Sequence, residues 1–281
     1  MGTNLENWEV ILFYIMVGAY FASTVFYWIG MAAKKDFIAH LGTFGAILGL
    51  IANTGAIILR WVISQRPPLT NGYEFILTFC WAIVFIYLFA EFRYKFKALG
   101  SFVMPVAFLL LVFIIMSMGP SERVAAAIPP ALKSKWLTFH VATAMLAYGA
   151  FAISFGLALM YLIKVKASNE KKDNWISRLP NETVLDDLSY KMICFAFPMM
   201  TLCIVTGAIW ANYAWGTYWS WDPKETWSLV TWIIYAAYLH ARLMYGWKGK
   251  RAAWLAVIGF AAVLFTFFGV NYFLPGLHSY A

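Results

Sequence analysis

Eight runs of mostly apolar residues, at roughly 8–33, 38–63, 73–90, 100–118, 136–163, 189–211, 227–246 and 252–271, dictate what this chain can become. Each approaches the roughly 20 apolar residues that carry an α-helix across a bilayer. In lipid the backbone must satisfy its own N–H and C=O groups, which leaves only helices or closed barrels. Runs of this length select helices. The chain is therefore expected to be all-α: a polytopic membrane helix bundle of about eight transmembrane helices, forming one domain over residues 1–281. Composition agrees, with 12% of residues charged and 63% hydrophobic, where a soluble domain carries about 25% charged. The third and fourth runs are short, and fit a bilayer with little tilt or local thinning. The first seven residues hold Glu6 and neither Lys nor Arg. A cleavable signal peptide is not expected, because its basic opening is missing.

Basic residues set the orientation. Alternate loops hold Lys34 and Lys35; Arg93, Lys95 and Lys97; Lys164, Lys166, Lys171, Lys172 and Arg178; and Arg242, Lys248, Lys250 and Arg251. With Lys191 these make 15 of the 21 Lys and Arg. The positive-inside rule puts them in the cytoplasm or its organelle equivalent. Both termini and the loop at 212–228 then face outside. The net charge of +8 is dispersed over these loops and forms no single basic face, so no nucleic-acid partner is implied. The polar stretch from Lys164 to Leu188 reads as a cytoplasmic loop with a short amphipathic turn. The prolines at 120, 129 and 130 make the outer loop from Gly119 to Lys135 irregular. Gly45-x-x-x-Gly49 marks a candidate close helix contact. Cys80, Cys194 and Cys203 form no Cys-x-x-Cys pair, and the last two fall on opposite faces of one helix. They read as small apolar residues, not as a disulfide.

The outer loop carries the most chemistry. From 215 to 227 it reads Trp-Gly-Thr-Tyr-Trp-Ser-Trp-Asp-Pro-Lys-Glu-Thr-Trp. Trp and Tyr are enriched at membrane interfaces for general reasons, but this density of flat faces also suits a large flat ligand. Gly216 and Pro223 interrupt any continuous helix there. Of the four histidines, His140 lies about 6–8 Å below the outer end of the fifth helix. His278 follows the last helix on the same side, so the two can meet beside the tryptophan loop. His240 sits about 20 Å below the outer end of the seventh helix, where ionisable residues are costly and usually functional. Its neighbour Arg242 is placed to snorkel to the surface. His40 opens the second helix on the cytoplasmic side. Haem suits this arrangement, since haem iron takes neutral imidazoles axially. Zinc would need about four tight ligands, and the outer cluster has two histidines and no cysteine.

The string WGTYWSWDPKETW resembles the tryptophan-rich (WWD) signature of haem-handling membrane proteins, and its Asp-Pro-Lys-Glu-Thr-Trp continuation resembles the CcsA (ResC) family of cytochrome c biogenesis. Similar landmarks are Arg60-Trp61 with Pro68-Leu69 and Asn71-Gly72-Tyr73-Glu74; Trp136-Leu137-Thr138-Phe139-His140-Val141; Leu239-His240-Ala241-Arg242; and Gly276-Leu277-His278-Ser279-Tyr280. Two features depart from the family pattern. Tyr213 stands where an acidic residue is common, and Phe273, Leu274 and Pro275 replace a glycine-rich approach to the terminal histidine.

The resemblance implies a cytochrome c haem lyase (synthase) that works with CcsB (ResB). It implies haem b as both substrate and bound ligand, passed from an intramembrane site to an external one and joined to the Cys-x-x-Cys-His motif of apocytochromes c. It implies His140 and His278 as axial ligands of the external haem iron, and Trp215, Gly216, Trp219, Trp221 and Asp222 as its surroundings. It implies His240 as one ligand of the intramembrane haem, the opposite ligand coming from the partner or from His40. Arg60 or Arg66 is a candidate partner for the haem propionates. The membrane is a bacterial inner membrane or a thylakoid. Three rival readings stay open: a haem exporter or relay without ligation, a b-type cytochrome subunit, and a transporter with an aromatic cage.

Overall fold

The computed structural model describes residues 2–119, 123, 132–168, 175–274 and 276. Among them every regular element is helical: α1 Gly2–Ala32, α2 Asp36–Ser64, α3 Gly72–Tyr94, α4 Gly100–Ser117, α5 Lys135–Ser168, α6 Glu182–Trp215, α7 Pro223–Met244, α8 Lys250–Leu264 and α9 Val270–Phe273. Short 3₁₀ turns stand at Lys97–Leu99 and Trp175–Arg178, and a π-helical turn, Phe265–Gly269, joins α8 to α9. Seven helices are long and apolar enough to cross a membrane. The seventh run, 227–246, is also a helix, α7, with 22 residues. It falls outside that set because its Trp, Tyr, His and Arg make it more polar.

Helix ends differ from the sequence expectation where capping outweighs hydropathy. The third run extends to Tyr94, making α3 a 23-residue helix, long enough to span without pinching the bilayer. Asn71 caps it, accepting from Glu74 N at 2.8 Å. The polar stretch 164–188, expected to be a loop with a short amphipathic turn, is largely helical over its described residues. Helix α5 runs on to Ser168, and Asn181 caps α6 so that it begins at Glu182. The tryptophan loop is correspondingly shorter than 212–228: α6 runs to Trp215 and α7 starts at Pro223, leaving only 216–222 between them.

The chain divides into two compact units. The first comprises Met1–Ala127 and Ile163–Pro180. Its α1–α2 pair is close because small residues line the contact. A Cβ at Gly45 would stand 3.2 Å from the Ala19 carbonyl, and one at Gly49 would collide with the Tyr20 ring. Two buried ionic clusters brace this unit. Near the start of α3, Glu74 binds Arg60 (3.1 Å) and Arg66 (2.8 Å), and Arg60 also reaches Glu9 (3.4 Å). Near its end, Glu91 accepts from Tyr27 (2.7 Å), Tyr87, Thr43 (2.6 Å) and Lys97 (2.9 Å). Removing one partner from such a cluster strands a buried charge, at about 3–5 kcal/mol.

The second unit comprises Ile128–Leu162 and Asn181–Ala281. Aromatic and hydroxyl contacts tie its helices. Phe151 of α5 stacks on Tyr235 of α7 at 3.6 Å, and Phe155 on Phe260 of α8 at 4.8 Å. The Ser154 and Ser189 hydroxyls meet at 2.8 Å, and Trp232 donates to Thr201 Oγ1 at 2.9 Å. In lipid such packing and interhelical hydrogen bonds replace the hydrophobic drive of a soluble core.

Candidate functional site

His140 is set into one face of α6. Its Nδ1 lies 2.7 Å from the Cys203 carbonyl oxygen. A carbonyl only accepts, so Nδ1 carries the proton and Nε2 keeps its lone pair. That is the tautomer an axial ligand of haem iron needs. Gly207 makes the approach possible, since a Cβ there would stand 2.6 Å from Nδ1. Trp210 lies nearly parallel to the imidazole, with ring centroids 6.3 Å apart and planes 16° apart. Cys203, Gly207 and Trp210 thus follow the i, i+4, i+7 spacing of one helix face. The His140 ring remains partly exposed.

The tryptophan loop continues from this face. Trp215, the last residue of α6, meets Trp210 edge-on at 4.9 Å. Gly216 then ends the helix with φ +79°, a left-handed conformation that glycine adopts without penalty. Trp219 and Trp221 stand at 90° to each other, 5.7 Å apart. Trp221 is 68% exposed and has φ +59°, unusual for a bulky side chain. What holds it there is the α7 capping box. Asp222 accepts from Lys224 N at 2.9 Å, while Glu225 accepts from Ser220 N (2.8 Å), Ser220 Oγ (3.2 Å) and Asp222 N (3.3 Å). Pro223 occupies the first helical position, where its missing N–H costs nothing. The buried Asp222 is therefore an anchor of the loop, and the exposed aromatic faces are Tyr218 and Trp221.

Past the π-helical turn, which sets Phe265 on Trp227 at 4.2 Å, the chain returns to the loop. A Cβ at Gly276 would collide with the Asp222 carboxylate, so Gly276 lies directly against the loop's anchor. His278 itself lies outside the described residues. Lys224, in the first turn of α7 ahead of its apolar run, donates to Asn271 Oδ1 of α9 at 2.8 Å. Burial pushes its ammonium down to about 8, against the pull of Asp222.

The other candidates sit differently. His240 is exposed on α7. Tyr245, edge-on at 5.6 Å, is its ring neighbour, and among the described residues it makes no side-chain hydrogen bond. Arg242, expected to reach toward the surface, is engaged within the protein. It binds Asp186 of α6 at 2.8 Å and lies over Tyr190 at 4.7 Å. His40, in the first unit, is exposed and hydrogen-bonded to the Asp36 carbonyl at 2.8 Å. Arg60 is only 2% exposed and shares Glu74 with Arg66. Both guanidinium charges are met by carboxylates within the unit, although Arg60 Nη2 is buried without a partner among the described residues. Cys80 and Cys203 are buried and Cys194 is exposed; all three are free thiols.

Sequence reasoning missed Cys203, Gly207, Trp210, Glu225 and Asn271. The i, i+4, i+7 spacing was a signal for the first three and the Asp-x-x-Glu capping box for the fourth; nothing local marked Asn271.

The helices and this loop define a polytopic integral membrane protein with an aromatic platform backed by a half-buried histidine. Residues 69–278 match the family model described as cytochrome c assembly protein. The chain is 40% identical over 275 residues to the cytochrome c biogenesis protein CcsA of Guillardia theta, covering 92% of this chain and 91% of that one. It is 34% identical over 323 residues to CcsA of Gloeobacter violaceus, covering 97% and 96%. Among solved structures it resembles the cytochrome c haem lyase CcmF, with TM-score 0.69 and 16% identity, over 92% of this chain and 46% of that longer one. The chain belongs to the CcsA family of cytochrome c biogenesis proteins.

Proposed function

We propose that this protein binds haem b at its outer face and, with a CcsB-type partner, attaches it covalently to apocytochromes c. The observation that carries this reading is the His140 imidazole, fixed by the Cys203 carbonyl with Nε2 free, beside a loop of tryptophans held open by the α7 capping box. Haem is the substrate here. His140 supplies one axial ligand and His278, two residues beyond the Gly276 contact, the other. Trp215, Trp219 and Trp221 pack on the porphyrin and Gly216 lets the loop approach it. Asp222 holds the loop in place.

The chain then works by positioning. Each client thiol adds across one haem vinyl group, its sulfur bonding to one vinyl carbon and its hydrogen passing to the other. Fixing the two reactants is worth about 7–11 kcal/mol of barrier in favourable cases. When the client's own histidine reaches the iron it displaces one of the two imidazoles, and the product leaves.

His240 holds the haem on its way out, within the membrane. Its exposure supports a second ligand from the partner, since an intramembrane histidine facing lipid is costly. Both termini and the loop face the periplasm of a bacterial inner membrane or the lumen of a thylakoid, and the whole chain, 1–281, acts as one haem-handling domain. Purified with ample haem, the protein should show a six-coordinate low-spin spectrum. A well-folded preparation without a Soret band would overturn the proposal. Incubation with haem and a Cys-x-x-Cys-His apocytochrome separates ligation from a haem relay alone, through the appearance of thioether-bound haem.

A further inference from the structure

We infer that Lys224 binds a haem propionate and so sets which edge of the porphyrin faces the client. This rests on the outer-site reading above. The sequence pointed to Arg60 or Arg66 for that task, but both are engaged by Glu74 in the first unit. Lys224 belongs to the same unit as His140 and the tryptophan loop, and its charge bears on the His140 ring.

Its surroundings are unusual for a lysine. The Nζ donates to Asn271 Oδ1, a neutral amide. An ammonium has three donors, and the other two have no partner among the described residues. The acids next to it in sequence are directed elsewhere: Asp222 and Glu225 hold the backbone amides of Ser220, Asp222 and Lys224. The half-buried ammonium has a neutral hydrogen-bond partner, and its desolvation outweighs the opposing pull of Asp222, as its pKa of about 8 reflects. An arriving carboxylate would relieve that cost through a charge-assisted hydrogen bond. Haem brings two carboxylates, on the edge opposite its vinyl groups. A propionate held at Lys224 and Asn271 therefore turns the vinyls away from α9, toward an incoming client.

Haem and its propionate dimethyl ester can be titrated separately into the haem-depleted full chain, reading the low-spin Soret band. We expect the wild type to favour the diacid over the diester by roughly tenfold or more. Lys224→Met should bring that ratio close to one, and Lys224→Arg should retain most of it. Asn271→Asp should lower it too, by giving the ammonium a permanent carboxylate. A Lys224→Met protein with the wild-type ratio overturns the lysine assignment and leaves haem binding standing. A wild type that binds neither compound overturns the outer-site reading itself.

Discussion

His140 and His240 are the same residue on neighbouring stretches of one unit, yet their settings are opposite. His140 has its Nδ1 hydrogen-bonded to a carbonyl, a glycine cut away beneath it and a tryptophan alongside. His240 is exposed on α7 with an edge-on tyrosine beside it. The first is a ligand prepared by its own chain. The second has no such support, which fits an inner site completed by another protein. Imidazole orientation by a second hydrogen bond is what distinguishes a tuned metal ligand from a surface histidine.

The largest expected effect is on His140. His140→Ala should abolish holocytochrome formation, and free imidazole should partly restore it, because His140 is only half-buried. Full activity in the variant would erase the contrast. His240→Ala comes next. If haem meets His240 first, the outer site should be poorly filled in cells although intact, whereas His140→Ala should leave the inner haem bound. Haem stoichiometry at matched expression reads both; normal outer occupancy in His240→Ala would refute the relay. Free imidazole should restore the inner site less readily than the outer one.

Gly207→Ala tests what supports His140. Its new methyl group would displace the imidazole from the Cys203 carbonyl. We expect outer-site haem affinity to fall about 10–100-fold with the helical circular dichroism unchanged. An unaltered affinity would show that the Nδ1 bond does not tune the ligand. Asp222→Ala should remove the α7 cap, at about 1 kcal/mol, and loosen the loop; Asp222→Asn should keep the cap and most of the stability. Thermal melts of the two variants separate capping from charge.

The smallest effect is on pH dependence. Lys224 is held at about 8, below its ordinary 10.5. Between those values the unfolded chain binds more protons than the folded one, so this residue makes stability rise with pH across that window. Haem-depleted protein should therefore gain thermal stability from pH 8 to 10 relative to Lys224→Met. A parallel pH response in the two proteins would contradict the burial of the charge.

The helices were legible because lipid leaves the backbone few choices, and seven runs reappear as membrane-length helices. The remaining run, 227–246, which is α7, was read from its apolar stretch although its polar residues set it apart. Helix starts were misread where Asn181 and Asp222 cap, since local hydrogen bonds extend helices into polar sequence. His140 and the tryptophan loop were visible as residue types in an unusual string. The fate of Arg60, Arg66 and Arg242 was not, because Glu74 and Asp186 reach them through the fold and not through the sequence. Asn271 escaped for the same reason: 47 residues separate it from Lys224.

Haem titration into the haem-depleted full chain, followed in the visible spectrum, tests the outer site most directly. Wild type and His240→Ala should both reach the low-spin form at the outer site. His140→Ala should fail to reach it until imidazole is added. A His140→Ala spectrum identical to wild type, without imidazole, would mean that the prepared histidine is not the ligand.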